Sequence, residues 1–291
     1  MEMLTERINK LSEKGKWEEA MKASASLVDK ARENLAGGDM TSLLKLSEAL
    51  ETRGTILRQH GYLEDARVCY LEALEMLNGR VEFTESLARI SSCIGVLYDM
   101  VENDNEAITF YGRAIELYDR LGSNFQGEIA DITNNLAFIY RSLGYFDDAE
   151  KLFLRGLEIC HSVYGTEHEK TATIFNNLGA LYLATGKDEQ AKEMNVMALE
   201  TRLEVLGKSH PDTAQSYSNL ALSQVQTGDT KGAKESFARA TEIFERHIKD
   251  ESFEYASVVE NYVEFLRQNG SDKEAFNLLK RSKKKLKKVA H

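Results

Sequence analysis

The stretch TIFNNLGALYLATGKDEQA, Thr173 to Ala191, sets apolar residues three and four apart, breaks at Gly186 and resumes after a polar turn. Apolar spacing of that kind marks one buried face of a helix, and a glycine between two such runs reverses the chain. The alanine that ends the stretch, five residues after the glycine, has counterparts at Ala20, Ala66, Ala107, Ala149, Ala233 and Ala275. Successive intervals are 46, 41, 42, 42, 42 and 42 residues. Four equal intervals in a row establish an internal repeat.

Other positions keep the same beat. Twelve residues before the alanine stand Gly54, Gly95, Ala137, Gly179 and Ala221, with Ile8 and Val263 in the terminal units. Five before it stands glycine (Gly15, Gly61, Gly144, Gly186, Gly228 and Gly270), except that the third unit has Glu102. Seven after it stand Ala73, Ala114, Gly156, Ala198 and Ala240. Small residues at fixed places mean that the two helices of a hairpin, and the first helix of the next hairpin, approach too closely for a long side chain. A 42-residue period is also six heptads, but a continuous coiled coil would lose about 1 kcal/mol at each central glycine. The pattern predicts about fourteen helices of roughly 12 to 18 residues. The joining segments offer two capping boxes, Thr166 with Glu169 and Ser209 with Asp212, and Pro211 suits a first turn.

Composition agrees with an all-helical chain: 291 residues contain one proline. Cys69, Cys93 and Cys160 form no Cys-x-x-Cys and no even disulfide framework, so they read as core fillers in a reducing compartment. No apolar run is long enough to span a membrane, and the opening MEMLTERINK lacks the basic-then-apolar order of a secretory signal, so a cytoplasmic setting is expected. A formal net charge of −10 sets the chain against general nucleic-acid binding. The charge is uneven, because residues 280–288, KRSKKKLKK, hold seven of the 37 basic residues. Lysines there favour a helix C-terminus and keep a terminal unit soluble; contact with an anionic surface through Lys280 to Lys288 is the second reading.

These features resemble the tetratricopeptide repeat family. Its code of Leu-Gly, a tyrosine three residues on, Gly and two alanines is matched by Leu178, Gly179, Tyr182, Gly186, Ala191 and Ala198. Tyr98 and Tyr140 keep the tyrosine place, whereas Leu57, Gln224 and Leu266 depart from it. The 42-residue length and the joining phrases VLGKSHPDTAQSYSNLA and VYGTEHEKTATIFNNLG are similar to the kinesin light chain type. The resemblance implies an all-α, right-handed α-α superhelical solenoid of about seven hairpins forming one domain over 1–291. Its units are 1–40, 41–82, 83–124, 125–166, 167–208, 209–250 and 251–291. The first unit, through ENLAGGDM, and the last read as terminal caps. The resemblance further implies a concave wall built by the first helix of each pair, where family members hold a peptide or another protein.

On that wall, two residues before the small anchor, stand Asn135, Asn177, Asn219 and Asn261. Asparagine is a middling helix former and gains little among apolar neighbours unless it has hydrogen bonds to make. Its amide offers donor and acceptor together, which suits an extended peptide backbone, and in the resembled repeats this asparagine often grips the ligand's main chain. The residues equally allow internal bridging between helices. Asn134 and Asn176 are paired with the first two of them. Helix periodicity adds Arg89, Phe138, Arg141, Leu183 and Leu222 to the same wall. Arg89 and Arg141 are candidates to clasp a ligand carboxylate, and Phe138, Leu183 and Leu222 to receive an apolar anchor.

The histidines, His60, His161, His168, His210, His247 and His291, show no metal-ligand spacing, and His168 and His210 repeat 42 apart in neighbouring joining loops. No catalytic residue, metal or cofactor is expected: the chain has no phosphate loop and no nucleotide fingerprint, and acidic clusters such as YFDDA recur where they favour a first helical turn. The function expected is a non-enzymatic module binding an extended segment of a partner protein. Alternatives are a receptor for a short signalling peptide or a self-assembling scaffold using its ends or convex face. The sequence leaves the partner and the oligomeric state open.

Overall fold

A computed structural model describes residues 2–35 and 39–289. Positions 36–38 of the ENLAGGDM segment and His291 lie outside the described residues. The described residues form, in order, the α-helices α1 (Glu2–Glu13), α2 (Trp17–Asn34), α3 (Met40–Gln59), α4 (Leu63–Leu77), α5 (Thr84–Met100), α6 (Asp104–Leu121), α7 (Gln126–Ser142), α8 (Phe146–Tyr164), α9 (Glu169–Ala184), α10 (Asp188–Val205), α11 (Pro211–Gln226), α12 (Thr230–Arg246), α13 (Ser252–Gln268) and α14 (Asp272–Val289), with α1 packed on α2, α3 on α4, α5 on α6, α9 on α10, α11 on α12 and α13 on α14. The longest, α3, reaches 20 residues, slightly beyond the expected range. Short 3-10 turns, Val81–Phe83 and Ser123–Phe125, lead into α5 and α7.

The chain divides into two compact units, one ending at Ile139 and the other beginning at Tyr140. Each is an all-α stack of hairpins in the right-handed solenoid arrangement. In the first, α3 packs on α2 and α4, and α5 on α4 and α6; in the second, α9 packs on α8 and α10, α11 on α10 and α12, and α13 on α12 and α14.

The repeating alanines are the closest points of these stacks: Ala20, Ala66, Ala107, Ala149, Ala191, Ala233 and Ala275 are all fully buried. The small anchors have a specific reason as well. A Cβ on Gly95 would sit 2.6 Å from the ring of Tyr111, and one on Gly54 would sit 2.7 Å from that of Tyr70; both rings are fully buried. Gly179 is held to hydrogen for another cause, because its neighbour is the buried amide of Asn195 rather than a ring.

The hairpin turns all use one geometry. In the second, Gly61 N–H donates to the Arg58 carbonyl and Tyr62 N–H to the Leu57 carbonyl, at 3.1 and 2.9 Å. This closure places the glycine at φ 78, a left-handed value. The third hairpin forms the same pair of bonds, Glu102 to Asp99 at 3.0 Å and Asn103 to Tyr98 at 2.9 Å, with Glu102 itself at φ 57. Among the described residues Glu102 is the one non-glycine at positive φ.

The expected capping boxes are corrected. α9 starts at Glu169 and α11 at Pro211, so the residues at their N-caps are His168 and His210. Each imidazole Nδ1 accepts a hydrogen bond at 3.2 Å, from the N–H groups of Lys170 and Asp212 respectively. Pro211 at the first helical position leaves Ser209 one residue too early to cap, and Thr166 falls two residues ahead of the α9 cap. The loops close in the same repeated manner, Thr171 Oγ1 donating to the Gly165 carbonyl and Thr213 Oγ1 to that of Gly207.

Candidate functional site

In the second unit, Asn177, Asn219 and Asn261 occupy equivalent places on α9, α11 and α13, and all three are half-buried. Their accessibility follows from helix geometry, since the neighbouring turn of each helix carries the anchor that faces the hairpin partner. Leu183 and Leu222 are half-buried on α9 and α11, and Arg141, at the end of α7, is half-buried with its guanidinium pKa lowered by burial. The Asn219 amide has a preset orientation: its Oδ1 accepts from Gln215 Nε2 at 3.0 Å, which turns its Nδ2 away from that neighbour.

Asn176 departs from the expected set. It is 5% exposed, and its Nδ2 donates to Ser216 Oγ on α11 at 2.9 Å, so it ties two hairpins together inside the stack. One helical position separates it from Asn177, which is a rotation of about 100° and enough to exchange surface for interior. It belongs to a polar layer between α9, α10 and α11. Arg202 of α10 is 6% exposed and donates through Nη1 to the Asp212 carbonyl at 2.8 Å and to Ser216 at 3.2 Å, and through Nη2 to Thr173 Oγ1 at 3.3 Å. Asn195 of α10, fully buried, donates to the Asn219 main-chain carbonyl at 3.1 Å. Asn195 stands where the preceding second helices carry Tyr70, Tyr111 and Phe153. That substitution in the repeat was the available sequence signal for the polar layer.

In the first unit, Asn134 and Asn135 of α7 are half-buried and Phe138 is 46% exposed. Asn135 Nδ2 lies 3.4 Å from the hydroxyl of Tyr111 on α6. Its place in the repeat is taken by Glu6, Thr52 and Cys93 in the first three hairpins, so within this unit the amide appears at α7. Glu6 and Thr52 instead line a cavity of about 600 Å3 with Thr5, Asn9, Lys45, Glu48, Glu51 and Arg89. The cavity escapes sequence reasoning because its lining residues come from three successive hairpins, on α1, α2, α3 and α5.

Arg89 faces that cavity already engaged. Its Nε donates to the two oxygens of Glu51 at 2.7 and 2.9 Å, and Nη1 stands 3.6 Å from Glu85. Burial raises the Glu51 carboxyl above its ordinary pKa although Arg89 pulls the other way. For Arg89, burial lowers the pKa and the Glu51 hydrogen bond and charge together lift it above its ordinary value. Two carboxylates thus answer this guanidinium, which removes it from the free carboxylate clasps.

Among the described residues no group of three His, Cys, Asp or Glu side chains gathers as a metal site, and no helix is long and apolar enough to cross a membrane.

The tetratricopeptide repeat family matches residues 128–203 and 196–246. No curated protein sequence matches the chain. Among solved structures, BtubC (BKLC) from P. vanneervenii is 28% identical, with TM-score 0.69, over 78% of this chain and 90% of that one. A putative kinesin light chain with nearly identical TPR-like repeats from Podosopora anserina is 18% identical, with TM-score 0.60, over 72% and 98%. A Rap protein complexed with Competence and Sporulation Factor is 17% identical, with TM-score 0.64, over 99% and 76%. Over residues 128–246 the chain is similar to tetratricopeptide repeats, and its fold is similar to that of helical-repeat proteins of kinesin light chain type.

Proposed function

We propose that this chain is a protein-interaction module that holds an extended segment of a partner protein through Asn177, Asn219 and Asn261 of the second unit. The observation that supports it is the half-buried setting of these three amides at one place in the repeat, while the adjacent Asn176 is enclosed. Each amide can pair with a main-chain N–H or C=O, so affinity depends weakly on ligand sequence, and Leu183, Leu222 and Arg141 supply selectivity. Ordering a flexible ligand consumes part of the contact energy, so several modest contacts are needed together. A cytoplasmic setting belongs to the same reading, supported by the free thiols of Cys69, Cys93 and Cys160.

A random peptide display library is the probe that tests this. Peptides enriched on the intact protein should lose at least about tenfold in affinity for a variant carrying Asn177→Ala, Asn219→Ala and Asn261→Ala, one lost hydrogen bond contributing about 1 kcal/mol. Helical content and melting should stay near those of the parent. Enriched peptides that bind both proteins equally refute the amide row. A short signalling peptide is the second reading, supported by the fold relative solved with Competence and Sporulation Factor.

A further inference from the structure

The last second helix, α14, breaks the charge rule that the other six obey. Nine residues after the repeating alanine stand Asp29, Glu75, Glu116, Glu158, Glu200 and Glu242, all exposed; the seventh unit has Lys284, also exposed. One residue earlier, the repeat buries Val28, Leu74, Ile115, Leu199 and Thr241, and the seventh unit exposes Lys283. A position buried in five other units and one that is acidic in six are both exposed lysines here.

That surface is not neutralised locally. Arg281 and Lys285 turn to Glu245 of α12, at 3.3 and 2.7 Å, whereas among the described residues no ion pair is found for Lys280, Lys283, Lys284 or Lys287. Phe276 stands one turn before Lys280, 64% exposed. At 100° per residue, Phe276, Lys280, Lys284 and Lys287 fall within roughly a quarter turn, so the ring and the ammonium groups share one face. Solubility accounts for lysines on a terminal helix, but it opposes an exposed phenyl ring among them.

We propose that this face of α14 docks on an anionic lipid bilayer, with the lysines at the headgroup phosphates and the Phe276 ring entering the interfacial layer. Flexible lysine stems let the ammonium groups reach the headgroups while the helix lies flat. A DNA duplex or an acidic peptide matches the charge but offers the phenyl ring no apolar layer. The proposal stands apart from the peptide-binding reading, since it uses the opposite kind of surface and none of the asparagines.

The test uses the whole protein and co-sedimentation with vesicles of phosphatidylcholine, with and without about one-third phosphatidylserine. Binding is expected to the anionic vesicles alone and to weaken as salt rises. A variant with Lys280→Gln, Lys283→Gln, Lys284→Gln and Lys287→Gln should bind on the order of a hundredfold more weakly, and Phe276→Ser about tenfold, with helical content unchanged. Equal retention by neutral vesicles, no retention by anionic ones, or affinity untouched by either variant overturns the proposal. So does tighter binding to a DNA duplex or to polyglutamate than to the anionic vesicles.

Discussion

Glu102→Gly should stabilise the protein, and its size can be worked from the turn. Glu102 sits at φ 57 in a place where the other six hairpins have glycine at φ between 66 and 82. Its backbone makes the same two closing bonds as Gly61 and Tyr62, so the replacement changes neither the turn nor its hydrogen bonds. A side-chain-bearing residue loses about 1–2 kcal/mol in the left-handed region through contact of its Cβ with the backbone. Glycine returns part of that, because it surrenders about 0.5–1 kcal/mol more conformational entropy on folding. The difference leaves a gain of about 0.5–1 kcal/mol. Gly144→Ala is the converse experiment: at φ 82, with no atom within 4 Å of the added Cβ, any loss comes from backbone conformation alone. Urea unfolding of both variants and the parent should move the midpoint up for Glu102→Gly and down for Gly144→Ala, with slopes unchanged. A Glu102→Gly protein no more stable than the parent, beside a destabilised Gly144→Ala, would mean that the Glu102 side chain makes a compensating contact and that the turn geometry is not what constrains this position.

Three further outcomes follow from the interior. Gly179→Ala would drive a methyl group into the Asn195 amide, overlapping Oδ1 and lying 2.7 Å from Cγ, and should cost about 1–3 kcal/mol in urea unfolding; adding Asn195→Ala should recover part of that loss, and strict additivity would refute the clash. Arg202→Lys should lose about 1–2 kcal/mol, because one ammonium cannot reproduce the fork that meets Asp212, Ser216 and Thr173; a neutral result would show that these bonds carry no net stability. Glu51, whose folded pKa lies above its ordinary 4.5, favours folding in acid, and that contribution disappears as pH rises through the native value. Relative to Glu51→Gln, the parent should therefore lose stability as pH rises above the ordinary 4.5, and the opposite slope would show that the Arg89 ion pair outweighs burial.

Helix order and turn placement were legible because they rest on spacing, and spacing survives substitution. The fully buried alanines, the reversing glycines and the acidic first turns each recur, so any one unit confirms the others. Caps were misread because Ser209 and Thr166 fit a familiar motif, while the groups that cap are the imidazoles of His210 and His168. Which helical residue comes first decided this, and spacing fixes a boundary only to within a residue or two. The company of Glu51 was not legible for Arg89, since Glu51 lies one hairpin away and only packing sets its distance, whereas Glu85 stands four residues before it on the same helix.

The asparagines show how far periodicity carries a functional reading. Neighbouring residues of one type, Asn176 and Asn177, differ in position by a single residue, and the interior claims the first while the second stays half-buried. A repeated amide is therefore evidence of a ligand only where the stack leaves it reachable, and the stack has uses of its own for amides. Asn195 makes the point from the second helix: it gives up the aromatic packing found at Tyr111 and Phe153 and bonds to the main chain at Asn219. Burying an amide costs free energy unless its bonds are made. Here the donor side of the amide is bonded, to the helix that carries a proposed ligand contact. Loss of Asn195 would thus loosen α11 as well as unpack α10, so Asn195→Ala should weaken peptide binding at Asn219 without touching the ligand. Exchange of the α11 amide hydrogens should rise in that variant while those of α13 stay protected; equal protection of both helices would separate the polar layer from the binding wall.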